Sequence, residues 1–257
     1  MNTPGDSISR EALERNLQHI RERIALAAAK SGRAPDAVAL IAVTKYAGIN
    51  EIRTLMELGV TQIGESRIQD AEQKFRELYT AHLNDPRAPD PSAVNWHLIG
   101  HLQTNKADKA ARIFHVMHSI DSVRVAETLN AEVNRLSTGP RPAQMRDLLL
   151  EVNVARDAKK HGLAPTIEEV TALLKLCSEF ERLTVVGLMA MAPHSDEPET
   201  VARPVFKRLR ELLEEANARK AYRQPLSELS MGMTQDFSIA IEEGATMVRV
   251  GSALFGQ

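Results

Sequence analysis

Short apolar, β-branched runs and amphipathic helical stretches take turns along almost the whole chain. The first helical stretch is the most regular. Ser9 stands as an N-cap, Ile8 and Leu13 can form a hydrophobic staple, and Leu13, Leu17, Ile20 and Ile24 share one face, with Gly32 as the C-terminal stop. Extended segments are expected at 38–45, 61–65 ("TQIGE"), 96–100 ("WHLIG"), 116–120 ("VMHSI"), 147–154 ("DLLLEVNV") and 183–191 ("LTVVGLMAM"). Two more fall in "LSELSMG" and "TMVRVGSALFG". Helices are expected from Asn50 to Gly59, through Phe75 and Leu78, from Ser122, from the Thr166/Glu169 capping box, near 204–218 and from Thr234 to Glu243. "LNDPRAPDPSAVN" and "STGPRPAQ" read as loops.

Runs apolar at successive positions, such as Leu40–Val43, suit strands buried on both faces, as in a parallel sheet. About eight such strands with helices between them, in 257 residues, predict one (β/α)8 TIM barrel over residues 1–257, with an N-terminal helix and no second β-domain. The rival is a doubly wound open sheet. That fold normally places a Gly-rich phosphate fingerprint after its first strand, where this chain has "TKYAGIN" and no GxGxxG anywhere. The chain runs out directly after the eighth strand, so the helix at 9–30 is expected to fill the outer gap where the barrel closes.

Composition removes several classes of function. A formal net charge of -2 gives no general footprint for nucleic acid or an anionic membrane, and Lys106, Lys109 and Arg112 fit a solvated helix face. The single cysteine, Cys177, excludes an internal disulfide and any CxxC motif, which suits a reducing compartment. "MNTPGDSISREALERN" has no apolar h-region and no 18 apolar residues run together, so neither secretion nor a membrane span is expected and the location is read as cytoplasmic.

The strand 38–45 ends on Lys45 with no turn residue before it. A cation there is either a snorkelling strand end or a buried amine with a task. Barrel enzymes keep their sites at the C-terminal strand ends, often with a phosphate held by the loops after strands 7 and 8. Here "SMGMTQD" offers Gly232 for close backbone approach and Thr234 to cap the next helix, and "RVGS" offers Gly251 and Ser252. The plainer alternative is a pair of tight turns. Barrel closure brings Lys45 beside strand 8, so a phosphate in these loops places a small ligand within reach of the amine. Partial desolvation near Arg249 would lower the amine's pKa and favour attack on a carbonyl. Phosphate, aldehyde and lysine together describe pyridoxal 5′-phosphate (PLP).

The segments "AVTK" (42–45), "WHLIGHLQTNK" (96–106), "EVNV…KHG" (151–162), "GLMAMAP" (187–193) and "LSMGMTQDFSIAIEEGATMVRVGSALFG" (229–256) resemble the pyridoxal phosphate homeostasis protein family. Its members are single-domain barrels similar to the N-terminal domain of alanine racemase. The resemblance implies Lys45 as the Schiff-base lysine, with Ser230, Gly232 and Met233, together with Gly251 and Ser252, around the phosphate. It implies Arg249 facing the pyridine nitrogen; a guanidinium cannot accept a proton, so the ring would be a weak electron sink. Ser66, Met189 and Thr234 are further candidates for contact. Two places depart from the family pattern. Ser66 and Arg67 replace its usual Asn-Tyr after strand 2, and Tyr46–Gly48 replace its polar-Pro sequence after the lysine.

Three functions stay open on the sequence. The first is PLP binding and homeostasis without robust catalysis, for which PLP-dependent apoenzymes or PLP-producing enzymes are the implied partners and a monomer is expected. The second is an amino-acid racemase or decarboxylase, which would need an opposing acid/base; Tyr46 is the one tyrosine near the proposed site, and a continuing strand would turn it to the face opposite Lys45. The third is a Schiff-base aldolase acting on sugar phosphates. No metal site is expected from the pairs His97/His101 and His115/His118: metal ligands must converge, usually with a carboxylate or cysteine, whereas His97 reads as strand and His101 as loop. His161–Gly162, after strand 5, reads as a capped loop, the alternative being that it borders the site.

Overall fold

The computed structural model describes residues 8–139, 142–157 and 161–256. Pro140 and Arg141 of "STGPRPAQ", and Lys160 of "KHG", lie outside the described residues. A helix α1 (Arg10–Lys30) precedes the repeating units β1 (Ala39–Val43), α2 (Ile49–Glu57), β2 (Gln62–Glu65), α3 (Ile68–Asn84), β3 (Asn95–Leu98), α4 (Ala107–Ile113) and β4 (Val116–Ile120). Next come α5 (Val123–Leu136), β5 (Asp147–Glu151), α6 (Ile167–Cys177), β6 (Thr184–Met189), α7 (Pro198–Ala218), β7 (Glu228–Ser230), α8 (Phe237–Glu242), β8 (Met247–Val250) and α9 (Ser252–Phe255). The strands pair in sequence order and close into a barrel, with β1 parallel to both β2 and β8. This is the predicted (β/α)8 barrel.

Local chemistry explains the elements. Ser9 accepts the Ala12 N–H at 3.2 Å, and Gly32 follows α1 with φ +71, the left-handed stop that glycine adopts without cost. Ser122 and Thr166 accept the N–H groups of Val125 and Glu169 at 3.4 Å each. Along β1 and β8 the pleat divides the side chains. Ala42, Val248 and Val250 pack into the main core with the helices, while Val43 and Arg249, of opposite parity, line a cavity at the barrel mouth. Val116, Leu149 and Met189 form a separate small apolar cluster from β4, β5 and β6. α1 packs against α2, α8 and α9, filling the outer layer at the closure, as expected from element order.

Three expectations need correction. β1 ends at Val43, two residues before Lys45, because Thr44–Ala47 forms a turn in which the Ala47 N–H reaches the Thr44 carbonyl at 2.8 Å. α7 begins at Pro198, not near 204, and runs through Pro204, whose missing N–H is outweighed by the buried face of Ala202, Val205, Phe206 and Leu209. Thr234 does not open α8; that helix starts at Phe237, and the one-turn helix α9 follows β8 where no helix was expected.

Candidate functional site

A cavity of about 510 Å³ opens where the barrel closes, at the C-terminal ends of β6, β7, β8, β1 and β2. β1 and its turn contribute Val43, Lys45 and Tyr46, and the β2 end contributes Ser66. β7 and β8 contribute Met233, Thr234, Asp236, Arg249, Gly251 and Ser252. Lys45 therefore shares one cavity with the loops after strands 7 and 8, as the sequence predicts. It is exposed, however, so the expected partial desolvation is not met: the Thr44–Ala47 turn carries it out of the sheet onto the rim. Its Nζ lies 4.8 Å from the Tyr46 ring centroid. Tyr46 is thus on the same side as Lys45, because the strand that would have turned it away ends at Val43.

The β7 and β8 loops are tied to each other. Thr234 Oγ1 accepts from the Ser252 hydroxyl at 3.0 Å and from the Ala253 N–H at 3.4 Å, so it joins the loops and serves α9, not α8. The Asp236 carboxylate accepts the Met233 N–H at 2.6 Å, and burial raises its pKa. Gly232 does not line the cavity. Its φ is +94, and a Cβ would stand 2.6 Å from Ala240 Cβ and 2.8 Å from Phe237 Cα, so the glycine lets α8 close on the loop. A Cβ on Gly251 would press on the Val43 carbonyl oxygen at 3.2 Å. Ser230 is also away from the cavity, buried and hydrogen-bonded within the barrel. Met189 lies in the apolar interior cluster, and Met191, two residues on and of the same parity, reaches the cavity in its place.

Beneath the cavity runs a polar chain that sequence reading missed. Arg249 Nη1 donates to Ser230 Oγ, and Nη2 donates to the Ala190 carbonyl at 3.1 Å. Ser230 pairs with His118 Nδ1 at 2.8 Å, His118 Nε2 with His97 Nδ1 at 2.8 Å, and His97 Nε2 with Gln62 Oε1 at 2.7 Å. The bond from His118 on β4 to Ser230 on β7 joins strands that are not neighbours, so it crosses the barrel interior. Burial holds His97 down to about 3 and His118 well below the ordinary histidine range, so both rings are neutral near pH 7.

Neutrality fixes the direction of every bond. Gln62 Oε1 can only accept, so His97 Nε2–H donates to it and His97 Nδ1 accepts from His118 Nε2–H. His118 Nδ1 must then accept the Ser230 O–H, whose oxygen in turn accepts from Arg249. All donors point away from the guanidinium, an arrangement whose members polarise one another. Burial lowers Arg249 to about 10, with Glu151 and Asp236 opposing the fall, so the side chain stays cationic at neutral pH. In the sequence His97 and His118 are residues of two separate strands. Their partnership depends on barrel closure.

Fold and site together define a single-barrel protein of the alanine racemase N-terminal type, with a rim lysine in one cavity with the loops after β7 and β8. The sequence profile of the alanine racemase N-terminal domain matches residues 8–257. The chain is 35% identical to a pyridoxal phosphate homeostasis protein of Aquifex aeolicus, over 94% of this chain and 96% of that one. It is 36% identical to the Pseudomonas aeruginosa protein of the same name, over 94% of each. PipY of Synechococcus elongatus, solved with PLP bound, superposes with a TM-score of 0.73 at 32% identity, covering 95% of this chain and all (100%) of that one. The chain belongs to the pyridoxal phosphate homeostasis protein family.

Proposed function

We propose that this protein binds PLP as a Schiff base on Lys45 and takes part in PLP homeostasis in the cytoplasm, without robust catalysis of its own. The observation that carries the reading is one cavity holding an amine at Lys45, a buried cation at Arg249 and hydroxyl and glycine positions at Thr234, Gly251 and Ser252. That donor set suits a ligand with a phosphate, an aldehyde and a ring nitrogen. The PLP bound in the related PipY structure supports the same ligand. Among the described residues no helix is long and apolar enough to cross a membrane.

When bound, PLP supplies an electrophilic carbonyl and a ring able to take up electron density. Lys45 would hold the ligand's aldehyde carbon through its side-chain amine at the cavity rim. Ser252, Thr234 and the backbone about Met233 and Gly251 would hold the phosphate. Arg249, immobilised by Ser230 and the Ala190 carbonyl, would face the ring nitrogen with N–H donors and positive charge only, which disfavours a protonated nitrogen and would keep the ring a poor electron sink. Racemisation also needs acid/base groups on opposite faces of the ligand. Tyr46 lies against Lys45 itself, so the two do not flank a ligand. PLP-dependent apoenzymes or PLP-producing enzymes are the partners this role implies, with the protein acting as a monomer.

The test is a spectroscopic titration of PLP-free protein paired with a chiral amino-acid assay. A PLP chromophore shifted into the Schiff-base region, with negligible turnover of alanine and other amino acids, is expected. Steady protein-dependent racemisation would overturn the carrier assignment, and labelling of Lys45 by a sugar phosphate under reduction would favour an aldolase.

A further inference from the structure

A second cavity, of about 700 Å³, opens on the same rim over the ends of β3, β4 and β5. The chain following each of those three strands sends one metal-competent side chain into it: His101, Asp121 and His161. Their donor atoms all lie within 4.8 Å of one another. Asp121 Oδ2 is 3.1 Å from His101 Nδ1 and 3.7 Å from His161 Nδ1, and the two imidazoles stack with centroids 4.1 Å apart. The sequence shows no such cluster, because its members are far apart along the chain.

The supports are specific. The Ser122 hydroxyl donates to Asp121 Oδ1 at 3.1 Å, which leaves Oδ2 to both histidines. Ser122 is itself fixed as the N-cap of α5. Beside His101, the Ser119 hydroxyl donates to the Gly100 carbonyl at 2.7 Å, and a Cβ on Gly100 would lie 2.2 Å from the Ser66 carbonyl oxygen. Beside His161, Gly162 has φ +119 and a Cβ there would meet the Asn153 nitrogen at 2.7 Å, while the Leu163 N–H donates to the Glu151 carbonyl at 2.8 Å. Both histidine backbones are thus pinned by glycines that no other residue replaces cheaply.

In a tetrahedral zinc site with bonds of about 2.0–2.1 Å, neighbouring donor atoms stand about 3.3 Å apart. The two separations to Asp121 bracket that value. Two imidazole nitrogens and one carboxylate oxygen are the donors of open three-ligand zinc centres, and the carboxylate's second oxygen held by a hydroxyl is the outer contact such centres use. Arg124 lines the same cavity. We propose that His101, Asp121 and His161 form a binding site for a divalent transition metal of the zinc class, its fourth position open to water or a small anion beside Arg124. The site needs neither Lys45 nor PLP.

The test is a Zn²⁺ titration of the chelator-stripped full chain against a chromophoric competitor. One Zn²⁺ per chain is expected. His101→Ala, His161→Ala and Asp121→Asn should each weaken binding by about a hundredfold, and Ser122→Ala by about tenfold, on the scale of ligand and outer-contact losses. Far-UV circular dichroism checks that each variant is folded. Lys45→Ala should bind zinc as the parent does, so failure of the PLP reading leaves this result untouched. X-ray absorption of the zinc-loaded protein should show two imidazoles and only nitrogen or oxygen donors. No zinc uptake by the parent chain, or equal uptake by the His101, His161 and Asp121 variants, overturns the proposal.

Discussion

The cavity at the β8–β1 closure and the cavity over β3, β4 and β5 open on the same rim, yet their chemistry is assembled differently. At the closure, most of the wall comes from two short loops, and backbone shape at Gly232 and Gly251 matters as much as any side chain. Its cation, Arg249, is anchored by a hydrogen-bonded chain that crosses the barrel to Gln62. Over β3–β5, three side chains from three separate loops meet one another directly, supported by single contacts from Ser122 and Ser119. One part of the barrel rim is thus built largely from loop backbone and another from a cluster of side chains.

The sharpest way to break that contrast is Lys45→Ala. All retention of reductively fixed PLP should vanish while zinc uptake at His101, Asp121 and His161 persists, as measured by absorbance and metal titration on one preparation. Joint loss would show that the two cavities are one unit. Next in size is Gly232→Ala. Left-handed backbone and contact with Ala240 and Phe237 should together cost about 2–4 kcal/mol, read from urea unfolding. An unchanged midpoint would mean the loop can give way.

Ser230→Ala should cost about 1–3 kcal/mol, because it leaves an Arg249 N–H and the His118 Nδ1 unpaired in the interior. It should also weaken PLP binding through misplacement of Arg249, whereas His101→Ala should leave PLP binding intact. PLP affinity untouched by Ser230→Ala would detach the buried chain from the cavity above it.

A pH slope tests the interior histidines. His97, facing Gln62 and His118 and held down to about 3, refuses a proton that the unfolded chain accepts below pH about 6.5. The unfolded state then binds more protons, so stability is full above about 6.5 and falls as pH drops toward 3, by at most about 1.4 kcal/mol per unit for this group. His118 adds in the same direction. A thermal midpoint rising between pH 6.5 and 5 would contradict neutral interior histidines.

Much of this architecture was legible before any coordinates, for reasons tied to particular residues. Strands buried on both faces announce themselves as unbroken apolar runs, and caps at Ser9, Ser122 and Thr166 act within three residues, so the alternation and its punctuation are local signals. The closure-side loops were legible because the chain carries them in one block, residues 229–256. What was not legible depends on register and closure. The family resemblance implies Ser230 beside the phosphate, whereas the pleat turns its hydroxyl inward to His118. Met189 and Met191 share a parity, and only the depth of the barrel separates core from cavity wall. Partial desolvation of Lys45 was expected from its closeness to Arg249 on barrel closure; the turn at Thr44–Ala47 puts it on the rim. Cys177 needed no correction: it is buried in α6, with its thiol pushed up to about 12.

The whole reading turns on which amine holds the ligand. Borohydride reduction of the PLP-loaded protein, followed by proteolysis and mass mapping, answers that directly. A single pyridoxyl mass on the peptide containing Lys45 is predicted. A pyridoxyl group fixed on another lysine, or none after reduction, would contradict it.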